Sequence, residues 1–380
     1  MDIYFDNSAT TAPGREVCEA VCDAMLKTYG NPSSLHRMGK AAEDLVEQSR
    51  KKVAESIGAK EEEVIFTSGG TESDNTAIIG YCRANKRKGN KIITTKIEHP
   101  AVLESFKVLE QEGFDAVYLD VDSNGVVNLA QLESELDENT LLVSIMHANN
   151  ETGTIEPIGE IAAIVHSVGA VLHVDAVQSY GKIKIDVKKF GADMLTISAH
   201  KVHGPKGVGA LYVKKGIRIL PIIHGGGQER GLRSSTENVA AIAGFAKAAE
   251  LLAENLEEKI ASMERVKEYL KNKIVANIEN TVINSPSESV CAVLNVSFPG
   301  VKSEVLLHVL EDKGIYVSSG SACSSHKKGR SHVLGAMGIK EDVIDSAVRF
   351  SFCADNTIDE AETAFSVLAE QVPILRRIMR

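Results

Sequence analysis

Two apolar runs of this sequence stop abruptly at groups able to do chemistry. One reads Val171-Leu172-His173-Val174-Asp175-Ala176-Val177-Gln178, and the next Met194-Leu195-Thr196-Ile197-Ser198-Ala199-His200-Lys201. Short bounded runs of this kind read as buried strands, and in an open parallel sheet the carboxyl ends of the strands line the ligand crevice. Asp175 and Lys201 would then face one crevice from neighbouring strands. Pyridoxal 5'-phosphate requires that pairing: the lysine amine forms a Schiff base with its aldehyde, and a carboxylate keeps the pyridine nitrogen protonated so that the ring draws electrons. Taken alone, the pair also reads as a solvated ion pair at two strand ends, because short motifs often match by chance.

Such a crevice needs a sheet to build it. Strand-like runs recur at 64–67, 91–95, 116–119 and 141–146, then at the two runs above, then at 209–213. Helical patterns separate most of them: Ala41 to Ile57 with Gly58 as its stop, Thr71 to Lys86, and Pro157 to Val168 with Gly169 as its stop. Alternating strand and helix predicts an α/β domain with a mainly parallel mixed sheet between helices. After Thr236 the composition changes. Val239 to Ile278 reads as one long charged helix, followed by strands at 293–298, 315–318 and 347–352 and a helix over 303–313. That order predicts a smaller α+β domain. The boundary is expected inside the long helix, with 16–260 forming the large domain and 1–15 plus 261–380 the small one.

With 380 residues, 43% hydrophobic and 25% charged, the chain can bury a large core in more than one domain. A formal net charge of -10 speaks against a broad nucleic-acid footprint. The start, Met1-Asp2-Ile3-Tyr4-Phe5-Asp6, is acidic and unlike a signal peptide, and no apolar run reaches the length of a membrane helix. The cysteines Cys18, Cys22, Cys82, Cys291, Cys323 and Cys353 form no CxxC pair and no zinc-ligand spacing. A reduced, cytoplasmic protein without a metal centre is expected.

A second candidate site follows the first strand. Thr67-Ser68-Gly69-Gly70-Thr71-Glu72-Ser73 leaves a strand and opens a helix, where small residues admit an anion to free backbone N–H groups and a favourable dipole. A phosphate site at Gly70 and Thr71 stands beside a plainer reading, a glycine turn with Thr71 as an ordinary N-cap and Asp74 completing the cap. Neither a Walker loop nor a GxGxxG fingerprint is present.

Taken together, the motifs resemble the NifS/IscS-type cysteine desulfurases of the class V aminotransferase group. The likeness runs over nearly the whole chain: Asp6 to Thr11, Gly30 to Ser34, Thr67 to Asn75, Glu98-His99, Asn149 to Gly153, both opening runs, Gly225 to Thr236, Ser318 to Ser324 and Arg349 to Ser351. The resemblance implies the pyridoxal-phosphate fold type I. It also implies that Lys201 carries the Schiff base, that Asp175 pairs with the pyridinium nitrogen and that Gln178 bonds the phenolic oxygen. His99 would stack on the ring and shuttle protons, although it reads equally as a helix-capping or core histidine. Gly70, Thr71, Ser198 and His200 would hold the phosphate. Thr236 would reach the phosphate of the neighbouring subunit of a homodimer. Asn150 and Arg349 would bind the substrate carboxylate region, a task suited to the planar fork of arginine.

The cofactor alone selects no reaction. Ser318-Ser319-Gly320-Ser321-Ala322-Cys323-Ser324-Ser325 is small and polar and suits a mobile loop with an accessible thiol, and the downstream cations of His326-Lys327-Lys328-Gly329-Arg330 favour thiolate. The expected reaction is removal of sulfur from L-cysteine, giving L-alanine and a persulfide on Cys323. The sulfur would pass to an iron–sulfur scaffold or a tRNA-thiolation enzyme. Alternatives are another class V enzyme, such as a selenocysteine lyase or an aminotransferase, or a non-catalytic sulfur-transfer scaffold. Two features depart from the family pattern. Phe352-Cys353-Ala354-Asp355 replaces a glycine–arginine sequence, and the chain stops at Arg380 without the longer tail that related enzymes use to hold a scaffold protein.

Overall fold

The computed structural model describes residues 2–319 and 330–379. A short strand β1 (Ile3–Tyr4) is followed by helices α1 (Arg15–Lys27) and α2 (Arg37–Ser56). Strands and helices then alternate: β2 (Val64–Thr67), α3 (Gly70–Asn85), β3 (Lys91–Thr95), α4 (Pro100–Gln111), β4 (Asp115–Leu119), α5 (Leu129–Glu135), β5 (Thr140–Met146), α6 (Ile158–Ser167), β6 (Val171–Asp175), α7 (Val187–Phe190), β7 (Met194–Ser198) and β8 (Gly209–Val213). The strands from β2 to β8 form one seven-stranded sheet in the order β2-β8-β7-β6-β5-β3-β4. From β4 to β7 neighbours are parallel, whereas β8 runs antiparallel to both β7 and β2. Helices cover both faces, so alternate residues of one strand enter different cores. Leu142, Val171, Met194 and Leu211 pack on one side. Val143, Leu172, Leu195 and Tyr212 pack on the other.

The sheet register brings the two opening runs side by side. Asp175, the last residue of β6, is level with Thr196 of β7 on one side and Met146 of β5 on the other. One 3-10 turn after β7, Ala199–Lys201, delivers Lys201. At the far edge, Glu229 ties β2 to its surroundings: it accepts from Arg50 at 2.6 and 3.1 Å and from the Phe66 backbone N–H at 2.8 Å. Both side chains of this ion pair are buried. Glu229→Ala would leave the buried guanidinium with half-exposed Glu47 as its charge partner and the Val64 carbonyl as a neutral acceptor. The expected cost is about 3 kcal/mol, read as a lower urea midpoint with an unchanged slope.

The long helix expected over 239–278 is two helices, α8 (Val239–Ala253) and α9 (Leu256–Asn277). Asn255 between them takes a left-handed φ of 57°, which asparagine tolerates better than most residues and which ends the helical ladder. The two halves bury faces against different cores. Ile242, Phe245 and Ala249 join the large sheet, whereas Met263, Val266 and Leu270 join a second cluster with Leu294, Phe350 and Leu368.

The rest of the chain adds β9 (Val282–Ile283), β10 (Val293–Ser297), α10 (Ser303–Asp312), β11 (Ile315–Tyr316), β12 (Ser318–Ser319), α11 (His332–Ala336), α12 (Glu341–Ile344), β13 (Ala347–Ser351) and α13 (Ile358–Ile378). Most of them build that second cluster, whereas Val333 and Leu334 of α11 and Ile344 of α12 pack with Ile97 and Met146 in a smaller one. An antiparallel sheet runs β12-β13-β10-β9. Thr357 and Glu360 form a capping box that starts α13. The N-terminal arm packs here too. β1 pairs in parallel with β11, and Phe5 meets Phe352 edge to face at 5.1 Å.

Candidate active site

Lys201 lies where the arm crosses the carboxyl ends of the large sheet. Its Nζ donates to the backbone carbonyls of Ser8 and, at 3.0 Å, of Ala9. The Ser8 carbonyl also accepts from Gln178 Nε2 at 3.0 Å. Three of the expected groups thus share one small region: Lys201, Gln178 and, electrostatically coupled to Lys201, Asp175. Burial pushes Asp175 up to about 6, opposed by the Val177 N–H and the Lys201 cation. It remains mostly ionised at neutral pH and ready to meet a positive partner.

A second layer of buried groups stands behind Asp175. Asp74 of α3 is held well above the ordinary carboxylate range, first by burial and then by Asp175, with Thr196 opposing. His173 is buried and pushed down to about 3 by desolvation. Its ring nitrogens meet Ser144 Oγ at 2.8 Å and Thr196 Oγ1 at 3.0 Å, and Asp74 lies 3.7 Å from Nε2. A neutral imidazole and a carboxyl held well above its ordinary range thus stand behind Asp175, which stays mostly ionised at neutral pH. In the sequence, Asp74 signalled only a cap and His173 only an inward strand position.

His99 caps α4. Its Nδ1 accepts from the Ala101 N–H at 3.1 Å, with Pro100 in the first turn. The capping reading is the one seen directly. Burial, then the charges of Lys201 and His332, push it down to about 4. The ring is neutral at physiological pH, and since Nδ1 accepts, the proton sits on Nε2.

The start of α3 has Gly69 as its N-cap, and no side chain caps it. Thr71 is not the cap, and the helix begins one residue before it. A Cβ on Gly70 would meet Val177 Cγ2 at 2.8 Å and Ser198 Cβ at 3.9 Å, so the turn rests directly on the ends of β6 and β7. Ser198 Oγ and Gln178 Oε1 are buried without hydrogen-bond partners. Uncapped N–H groups beside an unpartnered hydroxyl fit a phosphate. Together with the lysine and the buried carboxylate, they fit pyridoxal phosphate. His200 is turned toward the arm, with Nδ1 3.2 Å from Thr10 Oγ1. Thr236 is exposed in a groove that it shares with Thr67 and Ser68.

Arg349 is buried on β13. Its guanidinium donates to the Asn150 carbonyl at 2.9 Å and to Asp6 at 2.8 Å, while its Nε has no partner. Asn150 is thus engaged through its backbone. Asp6, read in the sequence only as part of a family block, is the acid that steers the fork.

Cys323 lies outside the described residues. The flanks of its segment are at the site. Ser318 is level with Arg349 across the small sheet. On the other side, Arg330 pairs with Asp345 at 2.7 Å, and His332 Nε2 lies 3.0 Å from the Glu98 carbonyl. Ser331 Oγ donates to Glu151, which burial pushes up to about 7, with Ser331 and Arg349 opposing. Folded Glu151 holds its proton above the ordinary value of 4.5, so the folded state binds more protons between the two values. Stability is therefore expected to fall as pH rises from about 5 to 7, by on the order of 2 kcal/mol. Glu151→Gln, which still accepts from Ser331, should flatten that slope in urea midpoints measured across pH. An unchanged slope would assign it to other groups.

The known proteins most useful for comparison share the whole of this architecture. Residues 3–363 match the aminotransferase class V family. The cysteine desulfurase IscS of Methanosarcina thermophila is 44% identical over 377 residues, covering 99% of this chain and 93% of that protein. A solved NifS-like protein superposes with a TM-score of 0.93 at 42% identity, covering 98% of this chain and 100% of its own. A structure of SspA in complex with cysteine superposes with a TM-score of 0.82 at 34% identity, covering 93% of this chain and 100% of that one.

Proposed function

The chain belongs to the class V aminotransferase family, and from that premise we propose that its site takes sulfur from L-cysteine and leaves it as a persulfide on Cys323. The enzyme is a pyridoxal-phosphate-dependent cysteine desulfurase. When bound, the cofactor supplies an electron sink conjugated to the substrate α-carbon. Lys201 would hold it covalently, Asp175 would sit at its ring nitrogen, and Gln178 would serve its phenolic oxygen. Gly70, Thr71, Ser198 and His200 would take its phosphate, with Thr236 of a second copy completing that site in a homodimer.

The remaining work falls to side chains. The unpartnered Nε of Arg349 is a buried donor aligned by Asp6, suited to the substrate carboxylate. Asn150 is fixed beside it through its carbonyl. Lys201 would move the α-proton at its Nζ, which the Ser8 and Ala9 carbonyls orient. His99, neutral and protonated on Nε2, would stack on the cofactor ring and donate rather than accept at that atom. The thiolate of Cys323 attacks the substrate sulfur. The S–S bond forms, the C–S bond breaks, its electron pair stays with carbon, and a proton completes alanine. Cysteine and one thiol give alanine and one persulfide, with no outside oxidant or reductant.

One observation carries this reading: the segment bearing Cys323 departs beside Arg349 and returns beside Glu98 and His99. The test is a single turnover without reductant. One alanine per chain should form with one persulfide, trapped by alkylation and located on Cys323 by peptide mass spectrometry. Alanine without a protein persulfide would favour direct release of the chalcogen instead. The acceptor is a protein thiol of an iron–sulfur scaffold or a tRNA-thiolation enzyme, and labelled sulfur loaded on Cys323 should appear on it.

A further inference from the structure

The departure from the family pattern at Phe352 to Asp355 lines a cavity of about 280 Å³ whose opposite wall is the segment Lys201 to His203. His203, Cys353 and Asp355 converge there, with their nitrogen, sulfur and oxygen atoms all within 4.8 Å of one another. His203 takes a left-handed φ of 62°, a conformation held by its N–H donating to Thr11 Oγ1 at 2.7 Å. Its Nδ1 lies 2.8 Å from the Ala12 carbonyl. A carbonyl only accepts, so Nδ1 carries the proton and Nε2 keeps its lone pair. This is the second contact that orients a metal-binding imidazole. The turn presenting Cys353 and Asp355 is fixed by Asn356 Oδ1, which accepts from the Cys353 N–H at 2.9 Å.

We propose that His203 Nε2, Cys353 Sγ and an Asp355 carboxylate oxygen bind a divalent transition metal of the zinc class, with water from the cavity in the fourth position. The mixed nitrogen, sulfur and oxygen set suits such a metal and not calcium or magnesium. A thiolate and a carboxylate balance its charge. Asp355 is exposed and gives the ion a path from solvent. The metal would join His203, two positions after Lys201, to the turn that follows β13, the strand of Arg349. It would thereby set the spacing between the two halves of the active site.

The test is cobalt(II) titration of the holoenzyme in a Cys323→Ser background, read as difference spectra against the metal-free holoenzyme. One equivalent should raise a thiolate-to-cobalt charge-transfer band with visible bands of a four-coordinate ion, and zinc should bleach both. Cys353→Ser should abolish the charge-transfer band. His203→Gln and Asp355→Asn should keep it but weaken binding about tenfold or more. A charge-transfer band that survives Cys353→Ser, or no saturable band at all, overturns the site. Asp355→Asn alters an exposed side chain and serves if the Cys353 variant does not fold: cobalt bound as tightly and with the same spectrum in that variant also overturns it.

Discussion

Cys323→Ser is expected to bind the cofactor and L-cysteine normally and to produce neither alanine nor sulfide, a loss of roughly 10,000-fold or more in turnover. The reason is chemical. Sulfur transfer needs a nucleophile that is substantially ionised near neutral pH and that forms a stable bond to sulfur. A thiolate meets both conditions, whereas a serine hydroxyl stays protonated. Binding should survive because Arg349, Asn150 and Lys201 are placed by the arm and the two sheets, with Asp6 at 2.8 Å and the Asn150 carbonyl at 2.9 Å from the guanidinium. The measurements are alanine formation and the cofactor spectrum on adding cysteine. A spectral change without alanine is the expected pattern. Alanine at the wild-type rate would remove Cys323 from the reaction and leave a lyase that releases its chalcogen directly.

Lys201→Ala should lose turnover by a comparable factor, roughly 10,000-fold, but with the opposite spectroscopic signature. The covalently held cofactor band disappears from the purified protein. Truncation removes the amine that the Ser8 and Ala9 carbonyls orient, and it removes the cation that opposes the burial of Asp175. The second effect separates charge from chemistry. Lys201→Arg restores a positive charge, yet a guanidinium is never deprotonated in proteins and cannot attach to an aldehyde. Arg is therefore expected to rescue stability near Asp175 and none of the activity. Activity in the Arg variant would mean that Lys201 acts only as a counter-charge.

Side chains on regular elements were the legible part of this site. Strands 64–67, 91–95 and 209–213 have the bounds that their apolar runs imply; Asp175 closes β6 as its run implies, whereas Lys201 lies three residues past the end of β7, in the 3-10 turn Ala199–Lys201. Groups contributed by the backbone were not legible. No side-chain pattern marks Ser8 and Ala9 as carbonyl partners of a lysine almost two hundred positions away, since those bonds exist only once the arm is docked. The break at Asn255 was hidden for a different reason: helical periodicity continues through it, and only the change of packing partner from the large-sheet core to the second core requires a bend. Asp74 shows a third limit. Its place one turn into α3 predicts a cap, but burial and the strand beside it, with a buried histidine and a second carboxyl, hold it well above the ordinary carboxylate range.

The docking of the arm also sets an order of events during synthesis. Ile3 and Tyr4 pair with Ile315 and Tyr316, and the Ser8 N–H is held by Ser351 Oγ, 343 residues away. The large sheet can close as soon as β8 leaves the ribosome, but the arm, translated before it, has nowhere to settle until β11 and β13 have emerged. The carbonyls that orient Lys201 therefore arrive after the strand and turn that carry the lysine are in place. A nascent chain stalled before β11 should hold a folded sheet without a positioned amine, and cofactor capture becomes a late, whole-chain event with the slow kinetics of a long-range contact.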